Sequence, residues 1–200
     1  PWARGRPEPP GDLLGRREGD RRRQRRRLRS SSFVRVPPSG DRRQGRARRA
    51  RADQVAFFKS QILFWLIGAT DGHAKNFSIQ LLPRGRFRLA PLYDVMSAYP
   101  VLGSGPNQWA PRQVKLSMAL LGKNRHYSMH SIVRRHFNST AQQLGYADHV
   151  EPLIEDLLAR TPAVIASVQK KLPDGFSSHV AQTVLGGLEK AAGKLASPLR

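Results

Sequence analysis

In QVAFFKSQILFWLIGATDGHAKNFSIQLLPRGRFRLAPLYDV, residues 54–95, three kinds of local structure follow one another without a gap. Val55, Phe57, Phe58, Ile62, Leu63, Phe64, Trp65, Leu66 and Ile67 predict a helix over 54–70, with Asp53 as its N-cap. Apolar side chains surround most of its last two turns, so it is expected to be buried centrally rather than to lie on the surface. Gly68 and then Asp71-Gly72 break it. Phe77, Ile79 and Leu81 alternate with Ser78, Gln80 and Leu82, which is a strand pattern. Pro83-Arg84-Gly85-Arg86 supplies a turn, and Phe87-Arg88-Leu89 alternates again, giving a short β-hairpin. Pro91 ends it, and Leu92-Tyr93-Asp94-Val95 follows in a tight loop.

Downstream the pattern stays mostly helical. Val114, Leu116, Met118 and Leu120 fit a strand over 114–121, although a helix fits there too. A helix is expected over 131–144, with Ile132, His136, Phe137 and Leu144 inward. One or two helices follow over 150–168 through Leu153, Ile154, Leu157, Leu158, Val164, Ile165 and Val168, kinked or broken at Pro162. A last helix over 180–195 runs through Val184, Leu185, Leu188 and Leu195, weakened by Gly186-Gly187. The expected fold class is therefore mainly α, with one small β-hairpin.

Upstream of residue 53 the composition changes abruptly. Residues 1–52 hold 18 Arg, no Lys and five acids, a net charge of +13 out of the +21 of the whole 200-residue chain. Leu, Ile, Val and Phe make up about 12% of this segment, below the roughly 20% that marks chains unable to bury a core. Disorder is expected there. Two readings of its role stand side by side: an arginine-rich arm that neutralises nucleic-acid phosphates, or translated GC-rich DNA in a frame not under selection. Nonspecific affinity for nucleic acid follows from the charge in either case. The domain division is thus 1–52 and 53–200.

The chain has no cysteine, which excludes disulfides, a thiol nucleophile and Cys-ligated metal. Its longest apolar run, 62–68, falls short of the roughly 18 residues of a membrane helix. No signal peptide is evident, so a soluble cytoplasmic protein without a membrane partner is the expectation.

The candidate chemistry sits around the hairpin. Asp71 precedes Asn76 by five residues, and Asp94 follows just beyond the returning strand. Phosphoryl-transfer enzymes of the protein-kinase type use an Asp, an Asn and a second Asp in this order. The first carboxylate accepts the substrate's hydroxyl proton, while the Asn and second Asp offer hard oxygens to Mg²⁺, which needs few protein ligands beside nucleotide phosphates. The residues alone leave another reading open. Asp71-Gly72 is a common turn pair, Asn76 can satisfy loop backbone, and Asp94 can cap a turn over 95–98.

The literal sequence narrows the choice. FFKSQILFWLIGATDGHAKNFSIQLLPRGRFRLAPLYDVMSAYPVLG, residues 57–103, closely resembles the HipA family of bacterial serine/threonine kinase toxins. The resemblance continues through VKLSMALLGKNRHYSMHSIVRRHF, 114–137, and more loosely to about residue 190, but covers none of 1–52. It implies a helical kinase C-lobe in which Asp71 is the catalytic base and Asn76 and Asp94 are magnesium ligands. It also implies that His73, Lys75 and Tyr93 contact the nucleotide, ATP. The family departs from ordinary kinases in having Ala69-Thr70-Asp71 in place of His-Arg-Asp and Tyr93-Asp94-Val95 in place of Asp-Phe-Gly. Its implied substrate is a protein hydroxyl, such as that of an aminoacyl-tRNA synthetase, and its implied partner is a helix-turn-helix antitoxin.

A working kinase also needs an N-lobe with a phosphate-cradling loop and a strand lysine. Residues 1–52 offer no lysine and no strand pattern. The expectation is a truncated or frameshifted toxin kinase, inactive alone, whose lost lobe was encoded upstream. The alternative function is a non-catalytic basic binder of nucleic acid or of the antitoxin.

Overall fold

The computed structural model describes residues 43–197, with side chains from residue 50 onward. The first element, α1 (Arg43–Leu66), begins eleven residues earlier than the apolar pattern predicts. Residues 46–52 contain only Arg and Ala, two of the strongest helix formers, so propensity extends the helix where no apolar stripe does. Asp53 consequently stands inside the helix rather than capping it, and its Oδ2 is buried without a hydrogen-bond partner. The expected disorder of 1–52 therefore does not hold for 43–52, which are helical; the remainder of that segment lies outside the described residues.

Gly68 terminates α1 in a Schellman motif. With φ at +67° it lets Ala69 N–H donate to Phe64 O at 2.8 Å and Gly68 N–H to Trp65 O at 3.3 Å. The chain then runs through a 3₁₀ turn (Ala74–Asn76) into the expected hairpin, β1 (Ile79–Leu82) and β2 (Arg86–Leu89). Its register pairs Ile79 with Leu89 and Leu82 with Arg86, and Arg84 and Gly85 both take left-handed backbone in the turn.

The fold stays mainly helical but holds two hairpins, not one. The ambiguous run is a strand, β3 (Lys115–Leu121), paired with β4 (Arg125–Ser128) through a register shift between Lys115 and Leu120. Leu116, Met118 and Leu120 are buried while Lys115 and Ser117 face out. Next comes α2 (Arg134–Gln143), whose His136 Nδ1 accepts the Val133 N–H at 3.1 Å at the helix start. Thr140 Oγ1 accepts the Leu121 N–H at 2.7 Å, pinning this helix to the end of β3.

The long α3 (Ala147–Lys171) is one helix despite Pro152 and Pro162. Thr161 Oγ1 donates to Leu157 O at 2.7 Å in the turn where Pro162 has no N–H to give. Two of its expected core residues, Val164 and Val168, are exposed at 48% and 39%. The last helix, α4 (Ser178–Ala196), is capped by Ser177, whose hydroxyl accepts the Val180 N–H.

These elements enclose one core built on α1. Phe58, Ile62, Trp65 and Leu66 meet Leu120 of β3, Ile132 and Phe137 by α2, Ile154 of α3 and Leu195 of α4. Each such side chain contributes about 1.5–3 kcal/mol by leaving water. Trp65 packs edge-on against Phe137 with ring centroids 5.7 Å apart, and its Nε1 donates to Met129 O at 3.2 Å. The C-terminal end of α1 is thus deeply buried, and Asp71 follows it by five residues.

Candidate active site

Three anchors hold the loop after α1. Ser117 of β3 grips Thr70 O with both its backbone N–H (3.0 Å) and its Oγ (2.8 Å). Ala98 N–H donates to Gly68 O at 2.8 Å. Phe77 turns back onto α1, its ring centroid 4.6 Å from that of Phe57 and 5.8 Å from that of Phe64. Phe77 was expected to open the strand; it instead wedges the loop against the helix and leaves β1 to begin at Ile79.

Between these anchors Asn76 is buried at 3% exposure, and its Nδ2 donates to both Asp94 Oδ2 (3.1 Å) and Asp94 O (3.3 Å). Residues 18 apart are thereby joined, with the Asp94 carboxylate at the surface. Asp94 has φ +53°, a left-handed backbone that Asp tolerates better than most residues and that concentrates at functional sites. Residues 95–97 are not helical, so Asp94 does not act as a helix cap there. A second clasp lies beside the first: Tyr93 OH donates to Lys75 O at 2.9 Å and shares a 2.9 Å hydrogen bond with Ser78 Oγ.

Asp71 is exposed, and its Oδ1 lies 3.9 Å from His73 Nε2. The other His73 ring nitrogen, Nδ1, is buried without a hydrogen-bond partner. The Lys75 side chain is exposed. The structure therefore brings Asn76, Tyr93 and Asp94 into direct contact with one another or with each other's loop, and sets Asp71 with His73. Ser78 and Ser117 escaped the sequence reading. Ser78 follows Asn76 by two residues and was within reach of it, whereas Ser117 acts across 47 residues and carries no local signal.

Asn76 and Asp94 set a carboxamide and a carboxylate side by side, groups whose oxygens a divalent cation can take. Among the described residues no group of three or more His, Cys, Asp or Glu is gathered closely enough to bind a metal. An oxygen pair of this kind suits Mg²⁺, which accepts one or two protein oxygens and completes its shell with water and phosphate, rather than zinc, which prefers nitrogen and sulfur.

A family model described as the HipA-like C-terminal domain matches residues 41–165, well over half of the sequence. The chain belongs to the HipA-like C-terminal domain family. The match begins two residues before α1, so the HipA-like region includes the whole of that helix and starts twelve residues ahead of the expected boundary at 53. Among solved structures, this HipA-like chain is similar to a chain of the Shewanella oneidensis MR-1 toxin–antitoxin complex of HipA, HipB and operator DNA. The TM-score is 0.55 at 22% identity, over 72% of this chain and 31% of that one. The likeness is one of fold, and the HipA-like chain spans about a third of the length of that neighbour. No helix among the described residues is long and apolar enough to cross a membrane.

Proposed function

We propose that this chain carries the catalytic-loop half of a serine/threonine protein kinase of the toxin–antitoxin type. The observation that supports the reading most is the Asn76–Asp94 contact at 3.1 Å, five residues on from an exposed Asp71 in the loop that follows a buried helix. Asp71 accepts the proton of the substrate hydroxyl as that oxygen attacks the γ-phosphorus of ATP and the bond to the bridging oxygen breaks. Asn76 and Asp94 would hold Mg²⁺, which would supply positive charge to the phosphates. Asn76 also orients Asp94 through its amide, and the Tyr93–Lys75–Ser78 clasp keeps the two loops in register. In this reading His73 and Lys75 would contact the nucleotide, Lys75 offering an exposed cation to phosphate.

The substrate in this reading is a protein hydroxyl, an aminoacyl-tRNA synthetase being one the resemblance implies. The partner is a helix-turn-helix antitoxin, in keeping with the HipB and operator DNA of the structural neighbour. Turnover by these 200 residues alone is not expected, because the phosphate cradle and strand lysine belong to an N-lobe ahead of the HipA-like domain. The net charge of +21 favours a second property, retention of nucleic acid. Deleting residues 1–42, which carry a net +8 of that charge, weakens that retention and leaves nucleotide binding unchanged.

Isothermal titration with ATP, with and without Mg²⁺, tests the reading on the wild type, Asn76→Ala and Asp94→Ala. Metal-dependent heat in the wild type and its loss in both variants are expected. No metal-dependent heat in the wild type, or its persistence in either variant, overturns the proposal.

A further inference from the structure

A cavity outside the loops just discussed is lined by α1, α4 and the segments around 99–102 and 129–130. It measures about 590 Å³, within the range of small-molecule sites. Trp65, Leu102, Val114 and Met129 give it an apolar wall, and among the described residues its lining also holds Lys190 and Lys194 of α4 and His130. Lys194 Nζ donates to His130 O at 2.6 Å and stands 5.6 Å from the Trp65 ring centroid. Burial pulls this ammonium below its ordinary lysine value, so it gains by meeting an anion.

The glycine pair in α4 explains how the space is kept. A Cβ at Gly187 would sit 2.4 Å from Tyr99 Cδ2, so close packing of helix against ring requires that glycine. A Cβ at Gly186 would meet nothing within 4 Å, and Gly186 lines the cavity. A glycine inside a helix costs about 1 kcal/mol relative to alanine. At Gly186 no packing need offsets that cost; what the missing side chain leaves is open volume.

We propose that this cavity is a binding site for a small amphipathic carboxylate, its apolar body against Trp65 and Met129 and its anionic head between Lys190 and Lys194. The two cations, with no carboxylate among the described lining residues, select for an anion, and the apolar wall selects against an inorganic one. This proposal stands independently of the kinase reading, since none of Asp71, Asn76 and Asp94 lines the cavity.

Titration calorimetry of the full chain with octanoate and with octanamide tests it. Saturable binding of octanoate, about tenfold tighter than octanamide, is expected. Gly186→Leu fills the cavity and abolishes both; Lys194→Met weakens octanoate about tenfold and leaves octanamide unchanged. Thermal melting of each variant reports folding, and if Lys194→Met melts early, Lys190→Met on the exposed side of α4 decides the same point. Equal affinity for acid and amide overturns the proposal. So does octanoate binding undiminished in Gly186→Leu, which reports only general attraction of anions to a basic chain, or no saturable heat at all.

Discussion

Replacing Gly72 by alanine tests how tightly the loop after α1 is laid on that helix. The added Cβ would lie 2.2 Å from Phe64 Cδ2 and 2.5 Å from Cε2, distances that no pair of carbon atoms tolerates without movement. Phe64 cannot swing away, because it is 3% exposed and packed against Phe77. Overpacking of this kind costs about 1–3 kcal/mol. The smaller conformational freedom of alanine in the unfolded chain returns about 0.4–1 kcal/mol, which leaves a net loss of roughly 1–2 kcal/mol. For a domain of this size that lowers the melting temperature by about 3–8 °C. Differential scanning calorimetry reads the shift directly. The same substitution in a Phe64→Leu background meets a smaller, more flexible side chain, so a double-mutant cycle yields a favourable coupling of about 1 kcal/mol. A Gly72→Ala protein that melts with the wild type, or a cycle that is additive, refutes the contact between loop and helix.

Two further outcomes are expected. Gly186→Ala raises the melting temperature, by about 1 kcal/mol of helix propensity, while the neighbouring Gly187→Ala lowers it by driving a methyl into Tyr99; calorimetry of both settles the packing of α4, and shifts of equal sign contradict it. His136 is held down to about 4 by burial first and then by His126, Arg135 and Lys194, whereas an unfolded histidine titrates near 6.5. The unfolded chain therefore binds one more proton between those values, and stability is lost as pH falls from about 6.5 to 4, by up to about 1.4 kcal/mol per unit. His136→Asn, which keeps an acceptor for the Val133 N–H, flattens that slope in urea unfolding followed across pH; an unchanged slope contradicts the assignment.

Periodic burial made most of the fold legible. The core face of α1, the β1–β2 hairpin and the inward positions Ile132, His136, Phe137, Leu188 and Leu195 all follow from apolar spacing. What lacked that spacing was missed. The first turns of α1 rest on Arg and Ala propensity alone, and Arg125-His126-Tyr127-Ser128 shows no apolar alternation because β4 is held by backbone pairing to Leu120 and Leu121. The continuity of α3 through Pro162 was not visible either, since the local rule for proline says nothing of the turns on either side. At the site, Asn76 and Asp94 could be named from residue type and order, and the structure joins the two by a hydrogen bond. The clasps that fix the loops could not be named, because Ser117 to Thr70 and Tyr93 to Lys75 end on backbone carbonyls, which every residue has.

The central claim is that Asn76 and Asp94 hold one divalent ion beside Asp71. Paramagnetic broadening by Mn²⁺ of the backbone amide signals of the full chain measures this directly. Signals from 71–76 and 93–96 are predicted to fade first, and Asp94→Ala is predicted to abolish the effect. Broadening confined to the acids of α3, Asp148, Glu151, Glu155 and Asp156, with residues 76 and 94 untouched, contradicts it.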